Sequence, residues 1–260
     1  MLSRKLTSDL LDKTKIYYKK RKLKDPILIV GLPGIGNVGN LAAEHIRKSI
    51  KAEKFATLYS PYFLHQVLML KSGGFRAVSN RFYYKNIKGK DILVLLGDTQ
   101  SPSSEGQYEV NELIVKFFKK LGGKRIYTIG GYNASNKYTE SPKVFAVSND
   151  KTMRKELEKQ GVIFGKITGT IWGSAGLIPV FAQKYDIPSA CLMGETGFLE
   201  IDASAARAVL RIMEGIIGTK IELENLDKLK KETERVIKEI EQSIDTHDPS
   251  KPSEGMPYIR

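Results

Sequence analysis

The chain has 260 residues, which suits one large domain or two small ones. Its hydrophobic share of 41% and charged share of 27% exclude wholesale disorder, collagen-like repeats and a coiled-coil fibre. The net charge is +13, but the nine basic residues of 1–24 face only Asp9 and Asp12, so the basicity is local and excludes a body-wide nucleic-acid footprint.

Residues 1–24 read as a solvated basic arm leading into the first strand. Within it, Tyr17 and Tyr18 beside Lys19-Lys20-Arg21-Lys22 offer the alternative of a phosphate and base contact. Pro26-Ile27-Leu28-Ile29-Val30 is a continuous apolar run closed by a glycine-rich loop, the pattern of a buried parallel strand. A helix is predicted over 41–50. Strands are predicted near 55–59, 66–70 and 75–84, with turns at Ser60-Pro61 and Ser72-Gly73-Gly74. Asp91–Gly97 is a second apolar strand.

Val110, Leu113, Ile114, Phe117, Phe118 and Leu121 recur at three- and four-residue spacing and mark a helix, ended by Gly122-Gly123. Strands at 125–130 and 143–147, a helix at 152–160 and strands at 162–164 and 167–171 follow. A helix over 177–185, a strand over 189–193 and a helix carrying Ala206, Val209, Leu210, Met213, Ile216 and Ile217 complete the set. Alternating strands and helices imply right-handed crossovers and one α/β domain over 25–220, with a mostly parallel sheet.

A different pattern begins after Thr219. Leu226, Leu229, Val236, Ile237, Ile240 and Ile244 form the apolar stripe of a helix over 221–246. Packing on the same domain and packing on another subunit both fit the stripe; oligomerisation is the expected role. Residues 247–260 are predicted to be a flexible tail, because Asp248–Gly255 has no apolar residue and two prolines. Its tip, Met256-Pro257-Tyr258-Ile259-Arg260, turns apolar and aromatic again. That tip suits capture in a partner's pocket, with the terminal carboxylate as an anchor.

Tests for chemistry give little. Gly34-x-Gly36-x-x-Gly39 matches a dinucleotide fingerprint, but the acid that should hold the ribose is missing at the end of the next strand. Asn37 stands where a phosphate-binding loop needs lysine. The loop glycines are therefore expected to serve the turn, and Gly34→Ala or Gly36→Ala to harm folding. Trp172-Gly173-Ser174-Ala175-Gly176 misses a nucleophile elbow by its first residue. His45, His65 and His247 lack metal-ligand spacing, and His45 reads as structural. The lone Cys191 excludes an intrachain disulfide and reads as a buried strand residue. Asp98 and Glu195 each follow a predicted strand. They are candidates for a carboxylate pair, or for caps of the helices that follow. No catalytic residue, cofactor or metal is expected. No apolar run is long enough to span a membrane, and no secretory stretch opens the chain, so a cytoplasmic protein is expected.

Several segments together resemble the archaeal proteasome assembly chaperone family of the second-subunit type. They are Gly31-Leu32-Pro33-Gly34-Ile35-Gly36-Asn37-Val38-Gly39, Ala42-Ala43-Glu44-His45, Phe55–Pro61, Gly97-Asp98-Thr99-Gln100 and Glu105–Glu109. Gly130-Gly131-Tyr132, Ser174–Leu177 and Leu192–Thr196 continue the set in order. The resemblance spans about residues 25–245 and implies a three-layer α/β/α sandwich like that of nucleoside phosphorylases. It implies homo-oligomers that bind the α subunits of the proteasome core particle without ATP, as assembly chaperone or activator. A paralogous chaperone is a further implied partner; a membrane or nucleic acid is not. Some members end in a hydrophobic–tyrosine–any-residue motif, and Tyr258 stands one place out of register with it. The alternative is a nucleoside- or nucleotide-processing enzyme on the same fold, using the Asp98 and Glu195 loops.

Overall fold

The computed structural model describes residues 13–133, 139, 141–197, 201–224 and 226–228. The chain begins with strands β1 (Lys15–Tyr18) and β2 (Ile27–Gly31), a single turn at Ile35–Asn37, helix α1 (Val38–Ser49) and strand β3 (Glu53–Tyr59). Then come β4 (Val67–Met69), β5 (Phe75–Ala77), β6 (Asn80–Ile87), β7 (Lys90–Gly97) and α2 (Ser104–Lys120). Next are β8 (Arg125–Asn133), β9 (Val144–Ser148), α3 (Lys151–Glu158) and β10 (Ile163–Phe164). Helix α4 (Ser174–Lys184), strand β11 (Ser189–Thr196) and helix α5 (Ala203–Ile217) follow.

Nine strands form one sheet in the order β1-β3-β6-β7-β2-β8-β11-β9-β10. Both faces of the central strands are apolar, so side chains alternate between two cores. Ile27, Ile29, Ile92 and Val94 point to one core, with Ala42 and Ile46 of α1, Met153 of α3 and Val209 and Met213 of α5. Leu28, Val30, Leu93 and Leu95 point to the other, with Ile114 and Phe118 of α2 and Ile178 and Ala182 of α4. The result is a sheet flanked by helices on both faces.

The sheet is mixed rather than mostly parallel. Strands β7, β2, β8 and β11 run parallel, as do β9 and β10. The ladders β1–β3, β3–β6, β6–β7 and β9–β11 are antiparallel. The β6–β7 reversal rests on Lys88 and Gly89, both at positive φ (49° and 83°), as a two-residue hairpin turn requires.

Three other expectations are corrected. The basic arm is not simply solvated: β1 pairs with β3, and Tyr18 packs edge-on against Phe117 at 4.9 Å. Tyr17 lies edge-on to Tyr59, so both rings are drawn into contacts with the domain. The predicted 75–84 strand is two strands, β5 and β6, in different sheets. Residues 167–171 form no strand; Ile167 and Ile171 pack inward beside Cys191 while Gly165 and Gly169 bend the backbone.

Helix starts lie upstream of the apolar periodicity because the first turns are polar. Ser103, Asp150 and Asp202 cap α2, α3 and α5, accepting from the N–H groups of Gly106, Met153 and Ala205 at 3.1, 2.7 and 2.9 Å. In α4, Pro179 has no N–H for the Ala175 carbonyl, and the Thr128 hydroxyl donates to that oxygen at 2.7 Å instead.

Cys191 is buried in β11, as expected. Burial pushes its thiol up to about 11, against the opposing pull of the Thr128 hydroxyl. Native protein at pH 7 is therefore expected to resist alkylation, and protein in denaturant to be labelled at once. Mass spectrometry after a timed pulse of iodoacetamide checks this; rapid labelling of native protein would contradict it.

The described residues after α5, which end at residue 228, pack on their own chain. Leu226 is fully buried in the α1–α5 core, and Asp227 pairs with Arg207 at 2.7 Å. The Glu222 amide donates to Ser49 Oγ, and its carbonyl lies 3.4 Å from His45 Nδ1, which gives His45 the structural role expected of it. Leu226 thus belongs to the core and offers nothing to a second subunit. Leu229, Val236, Ile237, Ile240, Ile244 and the tip Met256–Arg260 lie outside the described residues.

Candidate functional site

The carboxyl ends of β2, β7, β8 and β11 meet at one edge of the sheet, where α/β proteins place their ligand sites. The loop from Gly31 to Gly39 is fixed there by close packing. A Cβ on Gly31 would overlap the Gly39 carbonyl oxygen and Ala43, and one on Gly39 would overlap the Ile129 carbonyl oxygen. Gly36 has φ +59°, and its carbonyl accepts from the Asp202 amide at 2.8 Å. Gly34 is extended, with φ −173° and open space around it, which corrects the expectation that Gly34→Ala harms folding. Asn37, also left-handed at φ 48°, starts α1 without a side-chain cap.

These contacts explain why the fingerprint does not signal a dinucleotide. Gly31 and Gly39 serve the close approach of α1 to β2 and β8. The strand following α1, β3, lies three places from β2 instead of beside it, so no mononucleotide-binding unit forms.

Gln100 ties the edge together. Its amide donates to the Pro33 carbonyl at 2.6 Å, and its carbonyl oxygen accepts from the Ser174 amide at 2.9 Å. One side chain thus joins the glycine loop to the start of α4. Beside it lies a cavity of about 760 Å³. Its floor is Gly130, Gly131 and Met193, and its mouth carries Ile35, Tyr108, Val147 and Trp172, all substantially exposed. No lining residue is ionisable at neutral pH among those described. Such a lining favours an uncharged, partly apolar group and offers neither acid–base chemistry nor a charge for phosphate.

Asp98 faces away from that cavity's chemistry. Arg76 grips it with 2.5 and 2.9 Å contacts, Arg81 with 2.9 and 2.8 Å contacts, and the Ser79 amide adds a bond of 3.0 Å. Burial pushes the carboxyl up, but the two guanidiniums and the amide outweigh it and hold it well below the usual carboxylate range. A carboxylate so locked accepts no proton near neutrality. Glu195 lies in β11 rather than in a loop, and accepts from the Lys143 amide at 3.0 Å. Strands β2 and β8 separate β11 from β7, so the two carboxylates stand about 14 Å apart at ~4.8 Å per strand. They form no acid–base pair. Nor do they cap helices, since Ser103 and Asp202 fill those positions. Among the described residues, no three His, Cys, Asp or Glu side chains converge as a metal would require.

The edge carries a third feature that the motifs miss. Residues 60–79 leave β3 at this edge and form the separate β4–β5 hairpin. Val67, Met69 and Phe75 project from it into solvent. The run Val67–Leu70 and the Gly73-Gly74 turn announce a hairpin in the sequence, but not which face is left open. Gln100 and Trp172 stand in the Gly97–Gln100 and Trp172–Gly176 segments, whose sequence patterns do not announce a shared cavity.

The fold matches that of PbaB from Pyrococcus furiosus, an archaeal proteasome activator. The TM-score is 0.82 at 36% identity, over 88% of this chain and 99% of that one. PbaA from the same organism, an archaeal homolog of proteasome-assembly chaperone, matches with a TM-score of 0.74 over 90% of this chain and 94% of that one. At 24% identity that second likeness bears on the fold alone. The uncharacterized protein MJ1210 of Methanocaldococcus jannaschii is 39% identical over 218 residues, 84% of each chain. Residues 28–241 match the model of the PAC2 family. With most of its length matched in this way, the chain belongs to the PAC2 family.

Proposed function

We propose that the protein is an ATP-independent partner of the proteasome core particle, an activator or assembly chaperone that docks on the α subunits. The observation that carries this reading is the 36% identity to PbaB across nearly the whole of that chain. The site chemistry supports a binding protein over the alternative, a nucleoside- or nucleotide-processing enzyme. Asp98 is locked by two guanidiniums, Glu195 is remote from it, and the cavity lining is uncharged. The three-layer fold is read as nucleoside-phosphorylase-like, and the working form as a cytoplasmic homo-oligomer, with a paralogous chaperone as a further partner.

The tip Met256-Pro257-Tyr258-Ile259-Arg260 is the proposed docking element. It follows a spacer rich in proline and serine, so several weak tips on one oligomer can engage together. Tyr258 supplies a large apolar ring with a polar end, and Met256 and Ile259 add apolar surface beside it. The test is core-particle binding without ATP by the parent, by Tyr258→Ala and by a chain lacking its last three residues. Binding by the parent and at least tenfold weaker binding by both variants is expected. Equal binding by all three would move the contact to the globular part.

A further inference from the structure

Strands β7 and β8 begin at Lys90 and Arg125, and Lys24 and Asp25 lead into β2, so the amino ends of the parallel strands share one rim of the sheet. The cavity and Asp98 lie at the other rim, the eight residues of β7 or about 26 Å away. Residues 19–24 leave β1 at the sheet edge and follow the amino rim to β2, four strands further in. At ~4.8 Å per strand that path is about 19 Å, the reach of six extended residues.

The segment is pinned along this path. Leu23 packs on the α2–α4 core. The Lys24 amide donates to Asp91 Oδ2 at 2.6 Å, the Asp91 amide to the Lys24 carbonyl at 3.2 Å, and the Lys124 amide to the Pro26 carbonyl at 2.9 Å. The Arg21 guanidinium lies 4.3 Å from the centre of the Tyr84 ring. Two further basic groups meet the segment there: Lys88 and Lys90 around the β6–β7 turn, and Lys119, Lys120 and Lys124 at the end of α2. The Lys120 ammonium stands 5.9 Å from the Tyr18 ring, which joins the helix end to the arm.

Residues 19–25, 85–91 and 119–125 together hold twelve basic side chains against Asp25 and Asp91, in a chain whose net charge is +13. Asp91 is buried and spends its carboxylate inward, on the Tyr84 hydroxyl, the Asn86 amide and the Lys24 N–H. Arg125 pairs with Glu156. The other eleven form no ion pair among the described residues, and all but Lys85 are exposed. By itself the arm reads as a solvated lead-in; the fold brings the other two groups to it.

We propose that this rim binds the phosphate backbone of duplex DNA without reading its sequence. What the rim has and lacks selects the occupant. None of the exposed large apolar side chains among the described residues falls in these three segments. Protein interfaces are built on apolar and aromatic anchors and are depleted in lysine, so the rim does not suit a protein. With no exposed aromatic ring it offers no stacking platform for single-stranded bases. The Tyr84 hydroxyl and the Asn86 amide are committed to Asp91, away from a ribose 2′-hydroxyl or a base edge. Ammonium groups remain, and they contact phosphates without carrying sequence information. Duplex DNA presents one negative charge per ~1.7 Å of axis, so a rim of about 19 Å spans about eleven phosphates, roughly half of them facing it. The inference goes beyond the proteasome reading and does not depend on it.

The test is fluorescence anisotropy of a labelled DNA duplex of about 24 base pairs, in two unrelated sequences, titrated with full-length protein over a salt series. The rim variants are Lys20→Glu/Lys22→Glu on the arm and Lys119→Glu/Lys120→Glu on α2. Lys155→Glu/Lys159→Glu, at α3 over the opposite face of the sheet, changes the net charge equally and is the control. All six side chains are exposed, and circular dichroism with thermal melts checks that each variant is folded. The parent is expected to bind both sequences alike, with log Kd rising against log salt at a slope of about 4–5. Each rim variant is expected to bind at least ~10-fold more weakly at about 50 mM salt with a slope lower by about 2, and the control to lose less than ~3-fold. Equal losses in rim variants and control would show a response to net charge alone and overturn the assignment. No binding by the parent at about 50 mM salt overturns it too. So does tighter binding of duplex RNA, of poly-glutamate or of phosphatidylserine vesicles, each of which would give the rim to a different partner.

Discussion

Gly31→Ala and Gly39→Ala are each expected to destabilise the protein by about 3 kcal/mol or more, while Gly34→Ala changes stability by less than ~0.5 kcal/mol. The difference follows from what a methyl group meets. At Gly31 it meets the Gly39 carbonyl oxygen and the Ala43 methyl; at Gly39 it meets the Ile129 carbonyl oxygen. Both obstacles belong to rigid elements, α1 against β2 and β8, and cannot yield by a rotamer change. At Gly34 the nearest atom is the Gln100 amide nitrogen at 3.9 Å, and the backbone is extended. Gly36→Ala falls between, with positive φ and the Thr196 hydroxyl 2.8 Å from the new carbon, for a loss of about 1–2 kcal/mol. Urea midpoints of the four variants rank them. A parental midpoint for Gly31→Ala would show that the loop is not held as described.

Asp98→Asn is expected to cost about 3 kcal/mol at pH 7, because it leaves two half-buried guanidiniums facing each other without their counter-charge. It should also loosen the β4–β5 hairpin, whose inner face is anchored by Arg76. The pH dependence has a definite sign. Asp98 binds its proton more weakly in the folded state than in the unfolded chain. Its contribution is therefore complete above the ordinary carboxylate value of about 4 and fades as pH falls below that value. The gap in unfolding free energy between parent and variant should be widest near pH 7 and narrow steadily below pH ~4. A gap that widened on acidification would contradict the guanidinium clamp.

How much of this was legible in the sequence depended on whether the signal was local. The strands Ile27–Val30 and Asp91–Gly97 and the helix through Phe117 and Phe118 are buried on sustained apolar patterns, and lie where periodicity puts them. Strand direction is not local. The mixed sheet depends on the Lys88-Gly89 turn, a two-residue signal inside a run that otherwise reads as strand, turn, strand. Strand β1 is not legible in the sequence because four residues in a basic arm carry no period long enough to mark a strand. Their burial comes from Phe55 and Phe117, which are distant in sequence.

The site divides in the same way. The glycine loop was recognisable as a loop, but only the contacts of Gly31, Gly39 and Ile129 show it to be a packing device. Asp98 and Glu195 looked equivalent as residues following strands. The sheet order separates them, and Arg76 and Arg81, from the hairpin and from β6, decide the state of Asp98. The exposed apolar face of β4–β5 was invisible, since alternation reveals two faces without saying which one the fold covers.

The central claim is that this PAC2-family chain binds the proteasome core particle. The most direct measurement is native mass spectrometry or negative-stain imaging of the full-length protein mixed with purified archaeal core particle in the absence of ATP. The account predicts particles capped at the α-ring, with the cap lost on removal of the last three residues. A mixture in which folded protein and core particle remain separate at micromolar concentrations and low salt would contradict it.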